Sequence, residues 1–400
     1  MQFISFLDLY KHIHKSIRTN KNRSDKMDND GMLIEAHIAD IHFGAMNPIA
    51  QYNLLQQFED KLKSLPILDI VSINGDIFHS KYMANSTAIS TALTFITDLI
   101  NICIAKDATL IIIAGTYSHD ADQIKLFYPL AAAVSDKCDI RIIEEAQFIN
   151  VKGKRILCIP ELYGKGADYY TDFLYRSGFY DACYMHGTYV GSIYGKDIPD
   201  LNSEREPVFC MEHFANCHGP IISGHVHNPG CFDSHFYYCG SPYRWSFADT
   251  MDSKGFYWLL HDIKHFTYAI IQEPIISEQY LTINLDDLLQ SDPKKVIDYV
   301  AEKQREGIHH IRIEFTKNNP ENLNLLETYY RNNKEVSILN NYKKQEIVNK
   351  TREVETKYSK YQYLFDNNLT PIDKLVKYIN DCEQTVFVTS EDMMRILKDL

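Results

Sequence analysis

"MLIEAHIADIHFG", residues 32–44, is a run of mostly apolar residues that leads into Asp40 and His42. The run has the length of a strand, and the two polar residues are one position apart. In extended backbone, residues i and i+2 point to the same side of the chain. We therefore predict a buried strand whose end presents two side chains to one ligand.

Strand-length apolar stretches alternate with helical stretches after Gly31. Segments 52–64 and 87–105 have apolar residues at helical spacing, and they lie between stretches such as "LDIVSING" and "ATLIIIAG". This alternation predicts an α/β layered domain with functional groups in the loops that follow the strands. Residues 231–273 are rich in aromatic residues and predict antiparallel strands that close a second sheet.

The length of 400 residues exceeds that of an ordinary single domain, so more than one folding unit is expected. We predict an N-terminal extension at 1–31 and a core at 32–276. Residues 277–338 follow with a strand, helix, strand pattern that predicts a small α/β unit. Residues 339–400 are charged and helix-like, and we interpret them as a linker and a helical region.

Composition limits the class of protein. Apolar residues make up 45% of the chain and charged residues 24%, which excludes a mostly disordered protein. The formal net charge of -12 argues against binding nucleic acid through a broad basic surface. The 9 cysteines show no CxxC pair and predict reduced thiols in a cytoplasm. No uninterrupted apolar run reaches the roughly 18 residues of a membrane span, so we expect no membrane association.

Five successive strand endings carry side chains that could bind a metal ion. Each alone has an ordinary explanation, such as a hydrogen-bonded core histidine or a turn aspartate. Together they do not, because burying so many ionisable groups without a cation is costly. Imidazole and carboxylate ligands suit manganese, iron or zinc better than magnesium or calcium. The residues are Asp40, His42, Asp76, Ser118, His119, Asp120, His186, His225 and His227.

In their order these endings resemble the signatures of the calcineurin-like metallophosphoesterases, which run D-x-H, GD, GNH[DE], H and GHxH. Here they read "DIH", "GD", "GTYSHD", "MHG" and "GHVH" across residues 40–227. The later stretch "YYCGSPYRWSFAD" resembles a narrower group, the SbcD-type nuclease subunits of bacterial and phage DNA-repair complexes. The resemblance covers most of residues 32–400 and is strong to about residue 276. It implies a two-sheet sandwich flanked by helices, with a small, DNA-facing α/β cap and a helical C-terminal tail.

The resemblance also implies a role for each residue. Asp76 would bridge two ions, and His119 would assist the leaving oxygen with Asp120 orienting it. The third signature departs from the family because its asparagine is missing, so that Ser118, with support from Thr116, stands as a weaker ligand. The other ligands divide into a first-ion set, Asp40, His42 and His227, and a second-ion set, His186 and His225.

The function that the resemblance implies is that of a metal-dependent DNA exonuclease or endonuclease subunit with two divalent ions. Manganese is the first expectation, with iron or zinc as alternatives. The partners would be DNA, an SbcC-type coiled-coil ATPase that binds the C-terminal helical region, and a second copy of the chain. The location would be the cytoplasm of a bacterial cell or of a phage-infected host. Arg244, beside the GSP turn, is a candidate DNA contact or else a surface arginine packed against Trp245.

Two alternatives remain open from the sequence. The same metal centre would serve a phosphodiesterase or phosphatase that acts on nucleotides or phosphoproteins. A non-catalytic metal-binding scaffold subunit of the same complex is the second alternative, because the altered third signature puts turnover in question.

Overall fold

Two six-stranded sheets form the framework of the first of two compact units, Met1–Tyr280; the second is Leu281–Leu400. The computed structural model describes residues 31–192, 207–233, 235–247, 253–285, 292–315, 319–340, 369–382 and 389. The predicted N-terminal extension, apart from Gly31, and most of the predicted C-terminal helical region lie outside the described residues.

The strands of the described residues span 2 to 8 residues each. In chain order they are β1 (Met32–Ile38), β2 (Ile70–Asn74), β3 (Thr109–Ile113), β4 (Ile140–Ile143), β5 (Gln147–Val151), β6 (Lys154–Ile159), β7 (Ala182–His186), β8 (Thr188–Tyr189), β9 (Val208–Phe209), β10 (Ile221–Gly224), β11 (Gly230–Phe232), β12 (Phe236–Tyr238), β13 (Gly255–Asp262), β14 (Thr267–Pro274), β15 (Tyr280–Asn284), β16 (His310–Phe315) and β17 (Val336–Asn340).

The α-helices of the described residues are α1 (Pro48–Ser64), α2 (Thr87–Lys106), α3 (Tyr128–Ala133), α4 (Pro293–Arg305), α5 (Pro320–Tyr330) and α6 (Pro371–Cys382). Local sequence accounts for where the long ones begin. Asn47 accepts hydrogen bonds from two backbone amides of the first turn of α1, and Ser86 accepts one from the first turn of α2. The predicted helices at 52–64 and 87–105 are confirmed, because α1 and α2 contain them.

Helix α2 differs from the expectation that no apolar segment would be long enough to span a membrane. Helix α2 is long and apolar enough to span a membrane by length and composition, although no uninterrupted apolar run suggested it. Half of its apolar window is buried, and Phe95 and Leu99 pack in the same core as Ile34 and Ile38 of β1. A core helix of a globular domain has these properties, so α2 is weak evidence for a membrane span.

The first sheet has the order β14-β13-β1-β2-β3-β4, and β1 to β4 are parallel neighbours. The second has the order β11-β12-β10-β7-β6-β5, with β6, β7, β10 and β12 parallel. Their inner faces form one apolar cluster that joins Ile70 and Ile111 to Ile156 and Ile222. Helices α1 and α2 cover the outer face of the first sheet. This mixed arrangement confirms the α/β class.

Strands β13 and β14 are antiparallel, as predicted, but their place differs from the prediction. Strand β13 pairs with β1, so both strands extend the first sheet instead of closing the second. The open edge of β1 opposite β2 accepts β13 along six residue pairs, from Met32–Asp262 to His37–Tyr257. Local periodicity identifies a strand but carries no information about the sheet edge to which it pairs.

The second unit contains a sheet of order β15-β16-β17 with helices α4 and α5. Its core includes Ile283, Val296, Ile311 and Leu326. The strand, helix, strand pattern predicted within 277–338 corresponds to β15, α4 and β16, whereas α5 and β17 were not predicted.

Candidate metal centre

The candidate residues lie just beyond the carboxyl ends of parallel strands in both sheets. The central strands of the two sheets pack face to face, so these ends come together. The residues are Asp40 and His42 after β1, Asp76 and His79 after β2, Thr116 and His119 after β3, Glu161 after β6, His186 at the end of β7, and His225 and His227 after β10.

The first group contains Asp40, His42 and His227, each of which offers one ligand atom within 4.8 Å of the others. The Nε2 atoms of His42 and His227 are 3.0 Å apart. The carboxylate of Asp40 also accepts the backbone N–H of His225, at 2.9 and 3.1 Å to its two oxygens. This hydrogen bond connects the loop after β1 to the loop after β10.

The second group contains Asp76, His186 and His225, within the same 4.8 Å limit. Nε2 of His186 lies 3.4 Å from Oδ1 of Asp76 and 3.3 Å from Nδ1 of His225. On its other side, Nδ1 of His186 donates to the carbonyl oxygen of Asn74 at 2.8 Å. That bond fixes the tautomer and leaves Nε2 facing the group, which is how metal-binding histidines are commonly held.

The carboxylate of Asp76 faces both groups. Its Oδ1 is directed at His186, whereas Oδ2 lies 3.9 Å from Nε2 of His42 and 3.9 Å from Nε2 of His119. The two oxygens of one carboxylate thus point to different sets of imidazoles. This is the arrangement that a carboxylate shared by two cations requires.

A third group contains His42, His79 and His119. Sequence reasoning missed His79, although it stands three residues after Asp76 in "GDIFH". Nδ1 of His119 donates to the carbonyl oxygen of His79 at 2.5 Å, so Nε2 of His119 faces Asp76. The side chain of His119 is 25% exposed, in contrast to the buried side chains of Asp76 and His42 beside it.

Asp120 has other partners than those predicted. Its buried carboxylate accepts the backbone N–H groups of Ile77, Phe78 and Gly115, at 2.8 to 3.0 Å. It therefore joins the loop after β2 to the loop after β3 and does not orient the ring of His119, whose Nδ1 is held by a backbone carbonyl. Burial raises the pKa of Asp120 to about 6, and nearby Asp76 adds to the effect.

Ser118 is not brought into the centre. Ser118 is exposed, whereas Asp76 and His186 are buried. Thr116, two residues earlier, occupies that place. Its backbone N–H donates to Oδ1 of Asp76 at 2.7 Å, and its hydroxyl lies 3.4 Å from both His186 and His225.

Glu161 is a further acidic side chain of the centre that sequence reasoning missed. Its Oε2 lies 3.2 Å from Nδ1 of His225, 3.8 Å from Nε2 of His186 and 3.4 Å from the Thr116 hydroxyl. The signal for it was the position of Glu161 at the end of the strand-like stretch "KRILCIPE". Thr116 and Glu161 together supply oxygen atoms beside His186 and His225.

The backbone around the centre is strained at several non-glycine residues. Asp40, His42, Asp76 and His225 have positive φ values of 52°, 52°, 51° and 94°. Residues other than glycine rarely adopt this left-handed conformation, and such residues cluster at functional sites. Asp40 and His42 thus lie beyond the end of β1, in a loop, and it is not extended backbone that brings them to one side. The predicted extended-strand presentation of the two side chains is therefore wrong, and their role as metal ligands remains a prediction.

Gly75 permits the close approach of the loop after β2 to His186. It has a φ of 84°, and a Cβ at this position would lie 2.2 Å from Nδ1 of His186. A side chain would therefore collide with a ligand candidate, which explains the glycine before Asp76 in "GD".

Burial perturbs the charges of the centre. It raises the pKa of Asp40 to about 7 and lowers the pKa values of His42 and His225 to about 3. For Asp76, burial alone would raise the pKa, but His186 and the other imidazoles hold it well below its usual value. His42 and His225 are thus held in the neutral form that binds a metal ion. For His186, burial alone would lower the pKa, but Asp76 and the other carboxylates nearby hold it well above its usual value.

The residues present fit a divalent transition ion. Nε2 of His42 and Nε2 of His227 lie 3.0 Å apart, too close for two ring N–H groups, so at least one of them presents a lone pair to the first group. The donor set combines imidazole nitrogens with carboxylate oxygens, which suits manganese, iron or zinc. The groups could thus hold metal, as predicted, while the number and kind of ions remain predictions.

Trp245 covers one side of the centre. Its ring lies 5.6 Å from that of His42, 5.1 Å from that of His79 and 5.8 Å from that of His227, between ring centroids. The adjacent Arg244 is only 8% exposed, so the alternative of a surface arginine does not hold. Its role as a DNA contact remains a prediction.

Comparisons with known proteins leave the family open. No family model and no curated protein matches the chain. Among solved structures, one crystal structure is 12% identical, covers 60% of this chain and 99% of its own, and has a TM-score of 0.38. Another, a protein of unknown function, AQ665, from Aquifex aeolicus, is 19% identical, covers 43% of this chain and 83% of its own, and has a TM-score of 0.19. TM-scores this low carry no argument about fold or function.

Proposed function

We propose that this chain is a calcineurin-like metallophosphoesterase, a metal-dependent DNA nuclease that acts as the SbcD-type subunit of a DNA repair and recombination complex. The observation that supports this most is the position of Asp76, whose two carboxylate oxygens face different groups of imidazoles. A shared carboxylate between two ligand sets is typical of two-metal phosphodiester hydrolysis. The order of the five sequence signatures supports the same proposal.

The residues that would hold the ions follow from the groups. Asp40, His42 and His227 would hold one, and His186 and His225 would hold the other together with Glu161; Asp76 would be shared. When bound, two divalent ions polarise the phosphoryl oxygens and neutralise developing negative charge.

His119 is the candidate general acid. Its Nδ1 proton is committed to the His79 carbonyl, so any second proton resides on Nε2, the atom that faces the centre. Its partly exposed ring can reach a bound phosphodiester and give that proton to the departing sugar oxygen. Asp120 acts through the backbone by holding the loop that carries His119.

The assembly is part of the same proposal. An SbcC-type coiled-coil ATPase and a second copy of the chain would complete a cytoplasmic complex and supply much of the DNA binding that a net charge of -12 does not.

Digestion of labelled linear DNA with manganese, with and without the cognate ATPase, tests the function. Wild type should cleave, and His119→Ala should reduce turnover by about 10²- to 10⁴-fold while metal binding persists. Metal binding without cleavage by wild type would favour the scaffold alternative. Cleavage of mononucleotide esters but not of DNA would favour the small-substrate alternative.

A further inference from the structure

Three of the segments that form the candidate metal centre also carry exposed side chains beside it. Tyr117 directly follows Thr116, Tyr163 stands two residues after Glu161, and Lys81 stands two residues after His79. The side chains of Tyr117 and Tyr163 are 52% and 66% exposed. The three residues thus form an exposed patch on segments that contribute to the centre, which we call the tyrosine patch.

The members of the tyrosine patch contact one another. The ring centroids of Tyr117 and Tyr163 are 6.2 Å apart, with an angle of 38° between the ring planes. Nζ of Lys81 lies 4.1 Å from the centroid of the Tyr117 ring, within the range of a cation–π contact. A single exposed tyrosine is ordinary on a protein surface. The tyrosine patch differs from this, because its two tyrosines and its lysine contact one another and come from three segments that each contribute a residue to the metal centre.

The chemistry of the patch fits a nucleobase. Aromatic faces stack on unpaired bases regardless of sequence, and a neighbouring lysine attracts the phosphates of the same strand. The rest of the chain has the opposite tendency, because a formal net charge of -12 repels a polyanion. Stacking supplies affinity that does not depend on the overall charge of the chain. Lys81 supplies a positive charge beside the ring of Tyr117, where a phosphate of the stacked strand would lie.

The departure in the third signature produces this surface. In "GTYSHD" the added residues place Tyr117 between Thr116, which contacts Asp76, and His119. The segment that lacks the family's asparagine therefore gains an exposed aromatic ring beside the centre.

We propose that Tyr117 and Tyr163, with Lys81, bind an unpaired nucleobase of the strand whose phosphate lies at the candidate metal centre. The substrate class is then single-stranded or frayed nucleic acid with its bases present, in preference to a base-free sugar-phosphate chain. This proposal rests on the proposed function for the position of the phosphate, but the base-binding step can be measured without cleavage.

The test compares binding of two single-stranded oligonucleotides of equal length, one carrying adenines and one abasic, by fluorescence anisotropy with metal chelated so that no cleavage occurs. Loss of one stacking contact weakens binding by about 5- to 150-fold. The variant Tyr117→Ala/Tyr163→Ala should lower the preference for the base-bearing strand by that factor. The variant Tyr117→Phe/Tyr163→Phe keeps the rings and should retain the preference.

Tyr175→Ala is the matched control, because Tyr175 is a similarly exposed tyrosine on a segment that supplies no group to the centre. It should leave the preference unchanged. Quenching of 2-aminopurine fluorescence in the bound strand should report stacking in wild type and disappear in the double alanine variant. Equal binding of both strands by wild type, or an unchanged preference in the double alanine variant, would overturn the proposal.

Failure of the proposed function has a different signature. If wild type with manganese cleaves no DNA but binds the base-bearing strand preferentially, the nuclease proposal fails and the stacking site stands. If wild type cleaves base-bearing and abasic strands equally, and the double alanine variant does the same, the nuclease proposal stands and the stacking site fails.

Discussion

Replacement of Glu161 by glutamine tests the part of the metal centre that sequence reasoning missed. Oε2 of Glu161 lies 3.2 Å from Nδ1 of His225 and 3.8 Å from Nε2 of His186, and the side chain is buried. Glutamine keeps the size of the side chain and one oxygen near Thr116 but removes the charge. The change therefore isolates the electrostatic contribution of this carboxylate to metal binding.

The expected loss of metal affinity follows from the position of Glu161 beside two ligand candidates. Groups that only support metal ligands typically contribute about 10- to 100-fold to metal affinity, which corresponds to about 1.4–2.8 kcal/mol. Because Glu161 is within contact distance of two ligand candidates, we expect Glu161→Gln to weaken binding of one ion by at least this factor. The binding of the ion held by Asp40, His42 and His227 should change less.

Ser118→Ala is the matched control, because the resemblance implied Ser118 as a ligand at this position. Its side chain is exposed, so its loss should change metal affinity by no more than about 0.5 kcal/mol. Titration calorimetry of manganese into metal-free protein measures both variants under one set of conditions. A large effect of Ser118→Ala together with a negligible effect of Glu161→Gln would refute the assignment.

Two further predictions concern stability. Gly75→Ala should lower both the unfolding temperature and manganese affinity, because a Cβ there would lie 2.2 Å from Nδ1 of His186; unaltered thermal unfolding would contradict this. Lys154→Met should destabilise the protein by about 3–5 kcal/mol at pH 7, since Lys154 Nζ lies 2.6 Å from Oε1 of buried Glu35. Burial alone would raise the pKa of Glu35, but Lys154 holds it below its usual value, so the wild-type pair contributes stability at neutral pH that is lost as the pH falls. Without Lys154 the pKa of Glu35 should rise, so urea unfolding should show the difference between the two proteins narrowing towards acid pH; a difference independent of pH would refute this explanation.

Local patterns in the sequence predict much of the framework. The alternation of apolar runs and helical spacing indicated α1, α2 and most central strands, because each of these elements buries one face or both. The recurrence of aspartate and histidine after strands indicated the residues of the first two groups, because parallel strands end at a common edge. These predictions depend on periodicity and on strand ends, which are properties of short segments.

The remaining features depend on contacts between distant segments. The pairing of β13 with β1 joins residues more than 200 positions apart, such as Met32 and Asp262, and no local pattern encodes that choice. The roles of Thr116 and Glu161 depend on how two loops approach His225. We expected Asp120 to orient the ring of His119. Its buried carboxylate instead accepts hydrogen bonds from three backbone N–H groups on two loops.

A two-ion centre in this protein requires Asp76 to serve two ligand groups at once. Manganese content per chain, measured by mass spectrometry after reconstitution and gel filtration, tests this directly in wild type and in Asp76→Ala. Because the carboxylate faces both groups, we predict about two ions per wild-type chain and a loss of at least one in the variant. Wild-type protein without bound manganese, or a variant with the same content as wild type, would contradict the account.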